Sequence, residues 1–175
     1  VESWRGSRHA SSFSNSLFQE SFRRAQDKQW CVNCHAPLPE QSQALRGEAP
    51  KAWLDEGVNC AACHVRAGSI LAVEPISDAA HQAHPVRVEP LLSDSSFCAG
   101  CHQFELPKYH PMHSDEPVQN TYGEWQRSAA AAAGTHCQDC HMPKGAHSFP
   151  GAHDSDFVAS AIEVSFSAGE DQSVK

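Results

Sequence analysis

The chain has 175 residues, of which 40% are hydrophobic and 8% aromatic, with a mean hydropathy of −0.49. That is length enough for one domain, but too few large apolar side chains to fill a large core unaided. The formal net charge of −8 disfavours nucleic acid and anionic membranes as partners, and no apolar run approaches the roughly 18 residues of a membrane helix.

In chain order, the opening Val1-Glu2-Ser3-Trp4-Arg5 lacks the character of a signal peptide, so the chain is expected to be mature or excised. Residues 10–30 read as a helix. Phe13 and Leu17, then Phe18 and Phe22, are spaced by four and predict an apolar face, and Ser11, Ser12 and Ser14 suit its start. Pro37 and Pro39 predict a loop. Lys51 to Glu56 predicts a short amphipathic piece with Gly57 as its C-cap. Ile70 to Val73 reads as a short strand.

Further on, Pro107, His110, Pro111, His113 and Pro117 mark a loop. Thr121-Tyr122-Gly123-Glu124 has the form of a capping box, predicting a helix through Ala129 to Ala133 that Gly134 stops. Tyr122, Trp125, Ala129 and Ala132 would share a face of it, small enough for a close approach. In the tail, Ile162, Val164 and Phe166 alternate with Glu163, Ser165 and Ser167, the period of a half-buried strand that must pair with something.

The chemistry lies in the cysteines. All 8 fall in four units: Cys31-Val32-Asn33-Cys34-His35, Cys60-Ala61-Ala62-Cys63-His64, Cys98-Ala99-Gly100-Cys101-His102 and Cys137-Gln138-Asp139-Cys140-His141. Two cysteines separated by two residues and followed at once by histidine form the attachment site of a c-type haem. The thiols add to the two vinyl groups, and the next imidazole reaches the iron. Paired C-x-x-C units also build zinc sites, but those need no histidine at that position. Disulfides are disfavoured too, because adjacent C-x-x-C pairs mark redox or metal chemistry. Four covalent haems c in 175 residues leave about 44 residues each. The porphyrins should therefore supply much of the apolar interior, and folding should depend on them, as in small metal-dependent domains.

His35, His64, His102 and His141 are the expected proximal ligands. Eight histidines remain: His9, His81, His84, His110, His113, His136, His147 and His153. The linkers 36–59, 65–97 and 103–136 are long enough to return a second ligand to an iron. Methionine competes poorly. Met142 follows a proximal histidine, which leaves Met112 as the alternative. Mostly bis-histidine, low-spin iron is the expectation.

The order of features resembles the cytochrome c-554 family of multihaem cytochromes, related in haem packing to hydroxylamine oxidoreductase. The residues that carry the likeness are Trp4…Ser7-Arg8-His9-Ala10, Cys98-Ala99-Gly100-Cys101-His102-Gln103-Phe104, Asn120-Thr121-Tyr122-Gly123-Glu124-Trp125…Ser128, Cys137-Gln138-Asp139-Cys140-His141-Met142-Pro143 and His147-Ser148-Phe149-Pro150-Gly151-Ala152-His153-Asp154. The likeness spans roughly residues 4 to 154. It implies His9, a histidine of the 81–84 segment, His147 and His153 as distal ligands, with haems in close pairs. Of His81 and His84 the latter is preferred, because Pro85 would hold an extended loop after it. His81, His110, His113 and His136 are held in reserve.

The expected fold is mainly α with much irregular loop: a tetrahaem cytochrome c with a haem-organised core over 1–155. The segment 156–175 is expected to be a strand or tail that begins a β domain or makes an assembly contact. The expected function is electron transfer between a redox donor and acceptor with a basic docking patch. An exported address, periplasmic or extracellular, is expected, because covalent haem attachment takes place outside the cytoplasmic membrane. Two alternatives are a subunit of an extracellular haem filament and a reductase of a small nitrogen or sulfur species. The reductase would need one open iron beside Tyr109, His110 or His113.

Overall fold

A computed structural model of the chain describes residues 1–76, 83–110, 113–162 and 164–165. The expected helix over 10–30 is two helices. After a short α1 (Glu2–Arg5), α2 runs over Ser16–Arg24, with Asn15 Oδ1 accepting from the Leu17 and Phe18 N–H groups. The backbone turns extended at Ala25, and Asp27 caps a new helix, α3 (Lys28–His35), by accepting from Trp30 N–H at 3.0 Å. Two side chains that satisfy free backbone donors outcompete one continuous helix. Phe13 and Phe22 are buried 5.2 Å apart and Phe18 stacks on Phe22, but Leu17 is 81% exposed and drops out of the apolar face.

These phenylalanines join Val32, Ala36, Ala44 and Leu54 in one core cluster. Where Pro37 and Pro39 suggested a loop, Pro39 instead occupies the first position of α4 (Pro39–Arg46), whose N–H would be unsatisfied in any residue. Gly47 in the left-handed conformation ends it. Gln41 of α4 is fully buried. Its Nε2 donates to the carbonyls of Trp53 and Gly57, and its Oε1 accepts from Leu38 N–H. That side chain fastens α4 to the 3-10 helix Lys51–Glu56, which ends at Gly57 as expected.

Gly57 has a positive φ of 56°, and a Cβ there would lie 2.6 Å from the His9 carbonyl oxygen. The close approach lets Val58 N–H donate to that carbonyl at 3.0 Å, while Trp4 Nε1 donates to Val58 O at 2.9 Å. The N-terminal segment, with His9, is thereby strapped to the chain entering α5 (Cys60–His64).

The expected strand near Ile70 appears as β2 (Ser69–Ala72), antiparallel to β1 (Val65–Arg66) and parallel to β3 (Val86–Val88). After α6 (Ser96–His102), β4 (Gln103–Phe104) pairs with β5 (Gln119–Asn120) across the loop that holds His110 and His113. The capping box at Thr121 does not form. Thr121 lies inside α7 (Thr121–Gln126), the backbone leaves helical geometry near Arg127, and Ser128 caps a separate α8 (Ala129–Ala132). Gly134, at φ 74°, terminates the alanine run as expected.

The last elements are α9 (Cys137–His141) and α10 (Ser155–Ala161), the latter capped by Asp154 through Phe157 N–H. Within the C-terminal segment 156–175, residues 156–161 are helical, and the strand expected from Ile162 to Ser167 would lie beyond this helix. A free aspartate cap starts that helix. Ile162 and Val164 are exposed, and Phe166 and Ser167 lie outside the described residues. The architecture is mainly helical with much loop, and among the described residues no helix is long and apolar enough to cross a membrane.

Candidate haem-binding sites

Each C-x-x-C-H unit closes a helix. His35, His64, His102 and His141 are the last residues of α3, α5, α6 and α9. On a helix, positions i, i+3 and i+4 share a face, so both thiols and the imidazole of each unit are presented together. Three of these helices are capped at their starts by side chains in or near the motif. Asp27 caps α3, Asn59 Oδ1 accepts from Ala61 and Ala62 N–H at α5, and Asp139 Oδ2 accepts from His136 N–H at α9. All eight cysteines are unbridged.

Hydrogen bonds at the imidazoles decide which nitrogen can face a metal. Nδ1 of His35, His64 and His141 lies 2.9, 2.9 and 2.6 Å from the backbone carbonyls of Ser12, Leu71 and Pro150. A carbonyl only accepts, so Nδ1 carries the proton and Nε2 keeps its lone pair, the arrangement of a metal-ligating histidine. At His102 the Nδ1 partner is Gln119 Nε2 at 3.0 Å, an amide nitrogen that donates rather than accepts.

Two further histidines divide cleanly. His113 Nδ1 lies 2.7 Å from the Leu106 carbonyl, the proximal pattern again. His136 shows the reverse. Its Nδ1 accepts from Ser95 N–H at 3.3 Å, which places the ring proton on Nε2.

Ring pairs supply the second geometric signal. The centroids of His9 and His102 are 6.1 Å apart, and those of His64 and His147 are 5.9 Å apart. Two metal–nitrogen bonds of about 2 Å plus two ring radii place the centroids of imidazoles on opposite sides of one metal roughly 6 Å apart. Burial, then the neighbouring His102, pushes His9 down to about 4, and burial, then His64, lowers His147, so both stay neutral and able to ligate. Phenylalanines abut the proximal rings: Phe18 stacks on His35 at 3.8 Å, and Phe157 lies 5.1 Å from His141.

The third motif sits among the others. The Cys34 and Cys101 thiols hydrogen-bond each other, which raises Cys34; Cys98 is pushed up to about 12 by burial and then by Cys137. Cys63 lies within electrostatic reach of both Cys98 and Cys101, and His102 within reach of His35 and His141. Trp30 of α3 meets Phe104 of β4 edge to face. Between the third and fourth motifs, Cys137 N–H donates to the buried Ser95 Oγ, and Gln138 Nε2 donates to the Leu92 and Asp94 carbonyls.

The remaining sequence candidates are dispersed. His84 and His153 are exposed, His110 is half-buried, and His81 and Met112 lie outside the described residues. Tyr109 is exposed, with its hydroxyl donating to Asp27 Oδ2 at 2.6 Å. Sequence reasoning passed over Phe149, whose ring touches both His9 and His147. The one available signal was its place in His147-Ser148-Phe149-Pro150, between two histidine-bearing segments.

The sequence model of the family described as Cytochrome c554 and c-prime matches residues 1–65. No curated protein matches the chain. Among solved structures, the chain is similar to a penta-heme cytochrome c552 from Thermochromatium tepidum, with a TM-score of 0.68 and 21% identity over 98% of this chain. The chain spans 59% of that protein's length. The chain thus has the fold of a multihaem c-type cytochrome, carries four C-x-x-C-H helices, and matches that family's model over its opening residues.

Proposed function

We propose that the chain carries four covalent haems c and relays electrons among them between redox partners, with no substrate chemistry of its own. Bound haem c supplies a one-electron Fe(III)/Fe(II) couple. Everything else is done by the chain. The eight cysteines anchor; His35, His64, His102 and His141 ligate from the proximal side; and donation from Nδ1 to a backbone carbonyl holds the His35, His64 and His141 imidazoles in one orientation and raises their basicity.

The observation that carries this reading is the pair of imidazole spacings, 6.1 Å for His9 and His102 and 5.9 Å for His64 and His147. They favour His9 and His147 as distal ligands and so two closed, six-coordinate irons. His113, with its proton held on Nδ1, is the distal candidate for a third. His84, His110 and His153 remain for the fourth. His136 has a structural role. The central place of the third motif favours it as the junction of the relay. A net charge of −8 suits docking to a partner with a basic patch, and the covalent cofactor suits a periplasmic or extracellular address.

The test is intact mass together with carbon monoxide binding by the reduced holoprotein. Four haem additions, no titratable thiol and no rapid stoichiometric binding are expected. One haem that binds carbon monoxide rapidly would favour the reductase reading, and fewer than four additions would overturn the cofactor count.

A further inference from the structure

We infer that Phe149 is a positioning residue that sets the orientation of two distal histidines belonging to different haems. The inference rests on the ligand reading above. Phe149 has φ of 48°, the left-handed region that a bulky side chain rarely enters, and it precedes Pro150, which narrows its conformations further. Such a conformation persists only where the surroundings hold it.

Those surroundings are the site. The Phe149 ring meets His9 edge to face at 4.2 Å and 81°, and meets His147 at 5.9 Å and 84°. His9 belongs with His102, and His147 with His64. On one side of Phe149, His147 N–H donates to Ser3 Oγ at 3.1 Å; on the other, the Pro150 carbonyl lies 2.6 Å from His141 Nδ1.

Both ends of this short segment are therefore tied to elements that carry ligands. An extended Phe149 would send its ring away from at least one of its two contacts. The left-handed turn lets one ring edge into the space between two imidazoles while the next carbonyl still reaches the fourth motif. Each imidazole can otherwise rotate about its metal–nitrogen bond, and the angle between trans rings tunes low-spin iron. A single aromatic wedge fixes both rotations at once.

The experiment uses the holoprotein and reads the EPR spectrum of its oxidised low-spin haems. H9M and H147M variants first identify the two signals that depend on those ligands. Phe149→Gly removes the ring at a backbone position that glycine adopts freely, and Phe149→Leu removes aromaticity at similar bulk. In both, the signals assigned through His9 and His147 should shift while that of the His35 motif stays, with haem content unchanged. Phe149→Tyr should restore the parent spectrum.

If H9M and H147M each alter one signal but F149G leaves both in place, the wedge is refuted and the ligand reading stands. A shift of the His35 signal as large as the other two would also overturn it, by pointing to general loosening. If neither methionine variant alters the spectrum, the ligand assignment falls and the inference with it. Should F149L fail to load haem, F149G and F149Y decide the matter between them.

Discussion

Ser95 and His136 join the third and fourth haem motifs. Ser95 N–H donates to His136 Nδ1 at 3.3 Å, and Ser95 Oγ, itself fully buried, accepts from Cys137 N–H at 3.0 Å. The imidazole therefore spends its lone pair inside the protein. His136→Ala should leave every iron low-spin in the visible and EPR spectra, yet lower stability to denaturant by about 1–2 kcal/mol for the unpaired Ser95 group. A high-spin haem in H136A would show it to be a ligand instead.

His113 should behave in the opposite way. Its Nδ1 is committed to the Leu106 carbonyl at 2.7 Å, leaving Nε2 for a metal. Replacing it with alanine should open one iron and create one carbon monoxide site per chain, with little change in stability. If H113A binds no carbon monoxide, the distal assignment moves to the remaining histidines.

Gln41 is buried with its amide bonded at both ends, to Leu38 N–H and to the Trp53 and Gly57 carbonyls. Leucine fits the apolar surroundings but strands those backbone groups. The loss should be about 3 kcal/mol by denaturant unfolding, far more than an apolar gain returns. It should also loosen the turn that holds Gly57 against His9. Unchanged unfolding in Gln41→Leu would contradict this.

Asp27 lies below the usual carboxylate range, first because Tyr109 donates to it and then through Trp30 N–H. A depressed carboxylate contributes stability that is present above its unfolded value and lost as the pH falls through the folded one. The tie between α3 and the loop of His110 and His113 should thus hold at neutral pH and release in acid. In Tyr109→Phe, NMR titration should find the Asp27 midpoint raised toward that of an ordinary aspartate. A midpoint equal in both proteins would remove Tyr109 from the account.

The cofactor chemistry was legible in the sequence because covalent attachment is a local matter. Spacing within five residues decides whether two thiols and an imidazole share a helical face, and no distant contact can change it. The cap at Gly57, the strand near Ile70 and the stop at Gly134 were legible for the same reason. Where several local signals competed, the strongest hydrogen-bonding side chain won. Asn15 and Asp27 split the first predicted helix, and Ser128 split the alanine helix.

Which imidazoles lie close to one another belonged to the tertiary structure alone. A histidine's role depends on which ring nitrogen is committed and on what lies across from the other. His9 meets His102 only because Gly57 lets the N-terminal segment close over α5, and His147 meets His64 on a loop tied to Ser3. Loop residues carry no periodicity, so their pairing leaves no trace in the sequence. It is set by backbone hydrogen bonds between segments far apart in the chain.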